Sequence, residues 1–359
     1  MKIVINGKFF SQKITGVQRF AREIVNHIEN SINTWGDIEF LIVIPTKGIN
    51  KIPNFKNIKV KFLHGKGNYF WEQIKLPLLF AKEKGDFLLN LCNIAPLILK
   101  AKNLVSIHDL TFLYHPDFFS WKFVEAYRFF IKKEAHSCKH IFTVSLFSKN
   151  QICSAYRIPE SKISIVTPGV SIDFSSSCFI KNELIKRITN NPFFFSVGSI
   201  SKNKNIEYII NLANNNPAFS FVISGAKSKV FNDSFGGSFP KNVFYTGYIS
   251  DEDLIFLYSK CYGFIFPSFS EGFGSPPLEA IRCGCRRIIV SNIPAMNETF
   301  KNYNVNFIDP FSKNDNIISF SKVLTKEEAN NLIKKYNWNN SVIELLNTIK
   351  QINLKKDTQ

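Results

Sequence analysis

Two glutamates, Glu271 and Glu279, stand in the segment with the clearest capacity for chemistry. They lie in residues 266–284, which begin as an apolar strand, cross a loop rich in Gly, Ser and Pro, and enter a helix-like stretch. Gly272 and Gly274 let the backbone approach a ligand closely. Exposed N–H groups at the start of the following helix suit phosphate or sugar oxygens, and the carboxylates accept hydrogen bonds from sugar or ribose hydroxyls. The spacing favours a ligand site over a plain turn.

His108 is the second candidate, because it follows the apolar run 104–107 and precedes Asp109. In α/β proteins, ligands bind beyond the carboxyl ends of parallel strands. This position favours a functional histidine over one that only fills the core. The aromatic residues Phe70, Trp71 and Tyr114 are equally compatible with an acceptor-binding surface and with packing.

Other catalytic patterns fit the sequence less well. The run Asp251-Glu252-Asp253 contains an Asp-x-Asp pair, but it directly precedes the helix-like residues 254–258 and therefore indicates an acidic first helical turn. No Walker loop or G-x-G-x-x-G motif follows the first strand, which argues against an NTPase or a nicotinamide enzyme. Glu271 in a loop and Glu279 within a helix do not suit the opposed carboxylates of a glycoside hydrolase. We expect no metal ligands.

The elements that must position these residues alternate between short apolar runs and amphipathic stretches. This alternation predicts parallel sheets covered by helices, an α/β fold. The first series of predicted strands covers residues 2–5, 40–44, 87–90, 104–107 and 141–144, and the second covers 193–197, 220–223, 243–246, 264–267 and 288–291. Helices are predicted at 17–28, 206–213, 254–258 and 338–354. Pro168, Gly169 and the polar run Ser175–Ser177 indicate a junction between two α/β units.

Composition limits the partners and the compartment. Of the 359 residues, 45% are hydrophobic and 20% charged, which is typical of a globular protein. The formal net charge of +17 favours an anionic partner, namely nucleic acid, a membrane face or a phosphate-bearing substrate. Seven Cys without a C-x-x-C pair indicate reduced thiols in a reducing cytosol. The sequence shows no signal peptide and no apolar run of about 18 residues that would span a bilayer, so any membrane role is expected to be peripheral.

The segment around Glu271 and Glu279 resembles the E-x7-E motif of the family 4 (group 1) glycosyltransferases, which have the GT-B fold. Similarity to this family continues through most of the chain, at residues 15–20, 106–109, 144–148, 197–205, 244–251 and the tail around Trp338. The resemblance implies two doubly wound Rossmann-like domains with a cleft between them. It further implies an acceptor-binding domain at residues 1–170, a nucleotide-sugar-binding domain at 171–335, and a C-terminal helix at 336–359 that returns to the first domain.

The resemblance also implies roles for single residues. Lys204 would neutralise the departing diphosphate, Glu271 would contact the transferred sugar, and His108 would hold the sugar or acceptor near the reacting carbon. Glu279 would bond the donor ribose. The remaining donor-binding residues implied by the resemblance are Gly16, which closes over the phosphates, Gly198, and the backbone of Gly272, Phe273, Gly274 and Ser275. The base would be contacted by the backbone near Gly225 and Tyr248.

Two positions depart from the pattern of the family. Relatives often carry Arg-Lys-Asn where this chain has Asn203-Lys204-Asn205, so one phosphate-facing charge is missing and Lys202 is the expected substitute. Relatives also commonly continue Cys-Gly-Cys with Pro-Val, whereas this chain has Arg286-Arg287.

The resemblance implies a retaining hexosyltransferase that needs no metal. GDP-mannose is the first expectation for the donor, while dTDP-rhamnose, GDP-fucose and UDP-sugars stay open. The expected acceptor is a glycan, in particular a lipid-linked O-antigen or capsule intermediate on the cytoplasmic face of the membrane. A nucleotide-sugar epimerase of the same fold is the first alternative. A basic nucleic-acid-binding protein is the second, although the Lys and Arg residues are dispersed rather than clustered.

Overall fold

The computed structural model describes residues 1–49, 52–170, 183–188, 191–226, 239–313 and 315–357. The chain forms two compact units, one comprising Met1–Gly169 with Trp338–Gln359 and the other comprising Val170–Asn337. Part of the predicted junction, Ser175–Ser177, lies outside the described residues.

The first unit is built on a parallel sheet, to which seven strands belong in the described part of the chain. The strand order is β3-β2-β1-β4-β5-β6-β7. The strands are β1 (Lys2–Asn6), β2 (Glu39–Pro45), β3 (Lys59–Leu63), β4 (Phe87–Asn90), β5 (Asn103–Ser106), β6 (His140–Thr143) and β7 (Ile163–Ile165). The helices that connect them are α1 (Gly16–Ser31), α2 (Leu76–Lys82), α3 (Thr111–Tyr114), α4 (Trp121–Ser137) and α5 (Leu146–Tyr156).

The second unit has the same construction around a parallel sheet of order β10-β9-β8-β11-β12-β13. Its strands, within the described ranges, are β8 (Phe193–Val197), β9 (Ser220–Ser224), β10 (Val243–Gly247), β11 (Gly263–Phe266), β12 (Ile288–Ser291) and β13 (Asn306–Ile308). Its helices are α6 (Glu183–Ile188), α7 (Ile206–Asn215), α8 (Asp251–Lys260), α9 (Pro276–Arg282), α10 (Pro294–Phe300) and α11 (Lys326–Lys335). Both sheets are therefore doubly wound, as predicted.

The C-terminal helix α12 (Trp338–Asp357) belongs to the first unit. The apolar residues that the sequence places on one face, Val342, Leu345, Leu346, Ile349 and Ile352, are all buried. The ring of Trp338 lies 5.6 Å from that of Phe20 on α1, and the hydroxyl of Ser341 donates a hydrogen bond of 2.5 Å to the carbonyl of Thr167. These contacts fix the helix along the first unit.

The apolar runs predicted the interior strands well, because those strands are covered on both faces and need continuous apolar sequence. In β1, for example, Ile3, Val4 and Ile5 are fully buried. Three strands were not predicted: β3, β7 and β13. Each lies at the edge of its sheet, where fewer apolar side chains are required, and β3 (KVKFL) is largely exposed.

Candidate functional site

The order of strands in the second unit reverses at one point on its sheet. Strand β8 lies in the middle, and the chain runs outward from it to β9 and β10 on one side and to β11, β12 and β13 on the other. In doubly wound sheets, ligands bind at the carboxyl ends of the strands where the order reverses. Here those ends are the start of the loop at Gly198, after β8, and the loop at Pro267, after β11. Both loops carry residues predicted from the sequence.

Lys204 bridges the two loops. It ends the short 3-10 turn Lys202–Lys204 before α7, and its aliphatic stem passes over Gly198, where an added methyl group would lie 3.4 Å from Cδ of the lysine. The Lys204 ammonium lies 2.5 Å from Oε1 of Glu271 and 4.9 Å from the centre of the Phe266 ring. Three residues that the sequence assigned to one site, Gly198, Lys204 and Glu271, are therefore in contact.

Two asparagines on either side of Lys204 hold these loops together, and sequence reasoning did not assign them this role. The Asn203 side chain donates to the carbonyl of Ser270 at 2.8 Å and accepts from the N–H of Ser270 at 3.1 Å. The buried Asn205 donates to the carbonyls of Pro267 and Pro310 at 3.1 and 2.7 Å, and its φ of 50° places it in the left-handed region that Asn tolerates. Where relatives often carry an Arg, Asn203 therefore supplies no positive charge and instead holds the two loops together through these hydrogen bonds.

The loop after Glu271 presents backbone donors. Among the described residues, no hydrogen bond is donated by the N–H groups of Phe273, Gly274 and Ser275. Gly274 has φ +84°, and a Cβ there would lie 2.3 Å from Cε of Met296, so a glycine is required on both counts. The start of α9 itself contributes fewer donors than the sequence analysis expected, because its first two residues are prolines and lack an N–H.

Glu279 lies inside α9 and is almost completely buried. Its Oε2 accepts a hydrogen bond of 2.9 Å from the hydroxyl of Tyr258 on α8. The tyrosine fixes the direction of the carboxylate, and no sequence motif had singled it out. In the sequence, Tyr258 was recognisable only as a residue of an amphipathic helix, and that position predicts burial and not a polar contact.

The residues assigned to the nucleobase make fewer contacts with Lys204 and Glu271. Gly225, after β9, has φ +145° and approaches Gly198 so closely that a Cβ would lie 1.8 Å from the Gly198 carbonyl oxygen. Tyr248, just after β10, is 71% exposed. Contacts within the described part of the chain do not join Tyr248 to Lys204 or Glu271, so its assignment stays a prediction.

His108 lies in the first unit, at the carboxyl end of β5. It is buried, and its Nε2 lies 3.0 Å from the carbonyl oxygen of Leu91, so Nε2 carries the proton and donates it in that hydrogen bond. The ring packs edge-on against Phe20 at 4.8 Å. Burial lowers the pKa of His108, which keeps the imidazole neutral near pH 7 with Nδ1 available as an acceptor.

Gly16 is the first residue of α1, also in the first unit. Thr15 and Gln18 form a capping box around it. A Cβ on Gly16 would find no heavy atom within 4 Å, so packing of the described residues does not require a glycine at this position. The predicted approach of Gly16 and His108 to the donor stays a prediction.

Comparison with known families identifies the family of this chain. The model of the group 1 glycosyl transferases matches residues 181–339, which contain Lys204, Glu271 and Glu279. The model of glycosyltransferase family 4 matches residues 39–174, which contain His108. The chain belongs to the family 4, or group 1, glycosyltransferases.

Curated relatives of this glycosyltransferase include proteins named as O-antigen chain or serotype-specific mannosyltransferases. The present chain is 29% identical over 203 residues to the O-antigen chain mannosyltransferase RfbU of Salmonella typhimurium. This match covers 55% of this chain and 54% of that protein. It is 31% identical over 174 residues to the serotype-specific mannosyltransferase WbdA of Escherichia coli, covering 44% of this chain and 21% of that protein. The matches thus span about half or less of these relatives.

The fold of this glycosyltransferase matches solved structures over its full length. Sucrose-phosphate synthase from Thermosynechococcus elongatus superimposes with a TM-score of 0.71 at 13% identity, covering 99% of both chains. The fold is therefore that of the GT-B glycosyltransferases, two Rossmann-like domains built on parallel sheets.

Two further features of this glycosyltransferase bear on its expected partners. Across the described residues, no helix has both the length and the apolar character needed to cross a bilayer. The same residues contain no group of three or more His, Cys, Asp or Glu side chains placed to hold a metal.

Asp251, Glu252 and Asp253 form the acidic first turn of α8, where Ser250 caps the helix by accepting from the N–H of Asp253 at 3.1 Å.

Proposed function

We propose that this glycosyltransferase moves a hexose, mannose in the first instance, from a nucleoside-diphosphate donor to a glycan acceptor with retention of anomeric configuration. Membership of the family supports the reaction class. The names of RfbU and WbdA, both mannosyltransferases, support mannose as the sugar, and the O-antigen chain named for RfbU supports a surface glycan as the acceptor. GDP-mannose is therefore the donor to test first, ahead of dTDP-rhamnose, GDP-fucose and UDP-sugars.

The observation that carries the proposal is the charge arrangement at the carboxyl edge of the second sheet. When the bond to the sugar breaks, negative charge develops on the leaving diphosphate. The Lys204 ammonium and the N–H groups of residues 273–275 are fixed donors on adjoining loops, and fixed donors aimed at developing charge lower the barrier. We propose that they perform the role that a metal ion has in other transferases, so that the reaction needs no metal.

The two glutamates are proposed to bind different parts of the donor. Glu279 is buried and oriented by Tyr258, which suits a fixed carboxylate that accepts hydrogen bonds from the ribose hydroxyls. Glu271 lies in the loop beside Lys204 and is proposed to accept from the hydroxyls of the transferred sugar. A bound donor then separates the present ion pair, with the ammonium turning to phosphate and the carboxylate to the sugar.

Retention requires the acceptor hydroxyl to attack the anomeric carbon from the face that the diphosphate leaves. The new C–O bond forms as the bond to the diphosphate oxygen breaks, and that departing oxygen takes the proton of the acceptor hydroxyl. His108 is neutral, with Nε2–H held by Leu91. We propose that its Nδ1 accepts a hydrogen bond from a sugar or acceptor hydroxyl. This bond positions the hydroxyl, and His108 takes no part in the proton transfer.

We further propose that the acceptor is a lipid-linked glycan intermediate and that the enzyme works from the cytoplasm at the inner membrane face. The relatives named for O-antigen chains support this acceptor, and the net charge of +17 supports attraction to an anionic surface. The first unit is proposed to bind the acceptor and the second unit the donor.

The test is a transfer assay with GDP-mannose, the other candidate donors and a lipid-linked acceptor extract, with the product anomer assigned by NMR. We expect acceptor-dependent release of nucleoside diphosphate and a product that keeps the anomeric configuration of the donor. Turnover of the sugar nucleotide without acceptor would instead identify the epimerase alternative. A product of inverted configuration would exclude the retaining mechanism while leaving the donor site intact.

A further inference from the structure

The first unit carries an exposed apolar surface that its fold does not use. Along the helical residues 69–82, which include α2, Phe70, Ile74 and Leu78 recur every four residues and are 60%, 49% and 68% exposed. The neighbouring 3-10 turn Leu97–Lys102 exposes 72% of Ile98, and the first residue of α4, Trp121, is 72% exposed. Large apolar side chains exposed on adjoining elements mark an interaction surface.

Specific contacts place these elements side by side. The Gln73 side chain donates to the carbonyl of Ala95 at 2.9 Å and accepts from the N–H of Leu97 at 3.0 Å, which links the helical stretch to the 3-10 turn. The turn packs against α4. Tyr69 stacks on Phe130 of α4 at 5.5 Å with 6° between the ring planes. We call the exposed side chains of these three elements the α2–α4 face.

The charge on the α2–α4 face has one dominant sign. Its exposed lysines are Lys82, Lys100, Lys102, Lys122, Lys132 and Lys133. Of the three glutamates on these elements, Glu72 and Glu134 are buried, and the exposed Glu125 is paired with Arg128 at 2.9 Å. Lysines also stand beside aromatic rings, with the Lys122 ammonium 5.7 Å from the Trp121 ring and the Lys102 ammonium 5.6 Å from the Phe80 ring.

We infer that the α2–α4 face docks on the surface of an anionic lipid bilayer, with its apolar side chains entering the headgroup region and its lysines contacting lipid phosphates. Interfacial membrane-binding surfaces combine Trp, Phe and Leu side chains with surrounding Lys and Arg in this way. Long lysine stems keep the charge at the polar level while the apolar tips insert. The inference rests on the proposed function only for its purpose, which is to bring the first unit to a lipid-linked acceptor.

The lipid surface fits the face better than a nucleic acid or a protein partner does. A nucleic acid would pair with the cations but gain little from aliphatic side chains such as Leu78 and Ile98. The apolar core of a protein interface is depleted of lysine, whereas here exposed lysines stand on the same elements as the apolar residues. A bilayer headgroup layer accommodates both classes of side chain.

The test is co-sedimentation of the full chain with vesicles of phosphatidylcholine alone or mixed with phosphatidylglycerol, at low and high salt. Leu78→Ser removes one apolar tip, and Leu354→Ser on α12, which is 66% exposed, is the matched control. Burial of one leucine corresponds to about a tenfold change in partitioning. We therefore expect Leu78→Ser and Trp121→Ser each to weaken binding about tenfold and Leu354→Ser to leave it unchanged. Lys132→Glu combined with Lys133→Glu is expected to abolish the preference for phosphatidylglycerol at low salt.

Binding that is equal on both vesicle types, absent from both, or weakened as much by Leu354→Ser as by Leu78→Ser would overturn the inference. Nucleoside-diphosphate binding, measured on the same variants by thermal shift, separates this result from the proposed function. The surface variants should bind the nucleotide like the unchanged protein. A chain that binds vesicles but no nucleotide would retain the docking surface and lose the proposed function.

Discussion

The ammonium of Lys204 lies 2.5 Å from Oε1 of Glu271, although the two residues are 67 positions apart in the chain. One follows β8 and the other follows β11, so the reversal of strand order brings them together. In a site for a sugar diphosphate, these groups have complementary tasks, because the cation binds phosphate and the carboxylate binds sugar hydroxyls. We therefore propose that their pairing marks the donor site, although no donor motif joins them in sequence.

Lys204→Ala should lower kcat for sugar transfer by about 100- to 1000-fold, the usual cost of removing one fixed donor to developing charge. Lys202→Ala is the comparison variant, because Lys202 stands two residues earlier in the same turn, is exposed, and is the cation expected to replace the missing phosphate-facing charge. A smaller loss of kcat is expected for Lys202→Ala than for Lys204→Ala. Steady-state kinetics with the identified donor check the prediction. An equal loss in both variants would show that the turn supplies only general positive charge.

Glu279→Gln should weaken nucleoside-diphosphate binding about 10- to 100-fold, because a charge-assisted hydrogen bond to ribose contributes about 1.5–3 kcal/mol. The amide can still accept from Tyr258, so the free energy of unfolding should change little. Tyr258→Phe is the counterpart, which leaves the carboxylate and removes its orienting donor. Calorimetric titration should show a smaller loss of affinity for Tyr258→Phe, and an unchanged affinity for Glu279→Gln would remove Glu279 from the donor site.

Gly16→Ala should reduce kcat/KM for the donor while stability stays equal or rises by up to about 1 kcal/mol, since Ala is the better helix former. The structure leaves open space around the added methyl group, so any loss of activity reports a ligand that approaches this backbone. Gly36→Ala is the control, because a Cβ at Gly36 also meets no atom within 4 Å. Unchanged kinetics for Gly16→Ala would contradict the predicted role of α1 in phosphate binding.

Glu134 on α4 should make the first unit less stable as pH rises. It is fully buried, neither carboxylate oxygen has a hydrogen-bond partner among the described residues, and burial raises its pKa from 4.5 to about 8. The unfolded chain therefore releases this proton first, and the stability contributed by Glu134 is complete below about pH 4.5 and declines up to about pH 8.

Glu134→Gln should remove this decline and raise the free energy of unfolding by roughly 1–3 kcal/mol at pH 8. Urea unfolding between pH 5 and pH 9 checks it. A matched decline in the variant would assign the pH dependence to other groups.

The sequence predicted the two sheets and most members of the candidate site because both depend on local patterns. Apolar runs identify interior strands, and the Glu271–Glu279 segment keeps loop and helix residues in fixed order. The edge strands β3, β7 and β13 were not predicted because an edge strand needs less apolar surface.

The contacts that orient the site could not be predicted from the sequence, because they join distant positions. Asn203 was interpreted only as a missing cation, yet its amide clamps Ser270. Tyr258 and Met296 carry no motif, although one orients Glu279 and the other leaves room only for a glycine at position 274. Such pairs follow from the strand order, which local periodicity does not encode.

The central claim is that the second unit binds a nucleoside diphosphate through Lys204, Glu279 and the loop at residues 273–275. It is tested most directly by thermal shift with GDP, UDP, dTDP, ADP and CDP, with and without EDTA, on the unchanged protein and on Glu279→Gln. Ligand at 100 times its Kd stabilises a protein by about 2.7 kcal/mol. We predict that one diphosphate, GDP first, raises Tm equally with and without EDTA and raises it less in Glu279→Gln. No shift with any diphosphate, or the same shift in the variant, would contradict the claim.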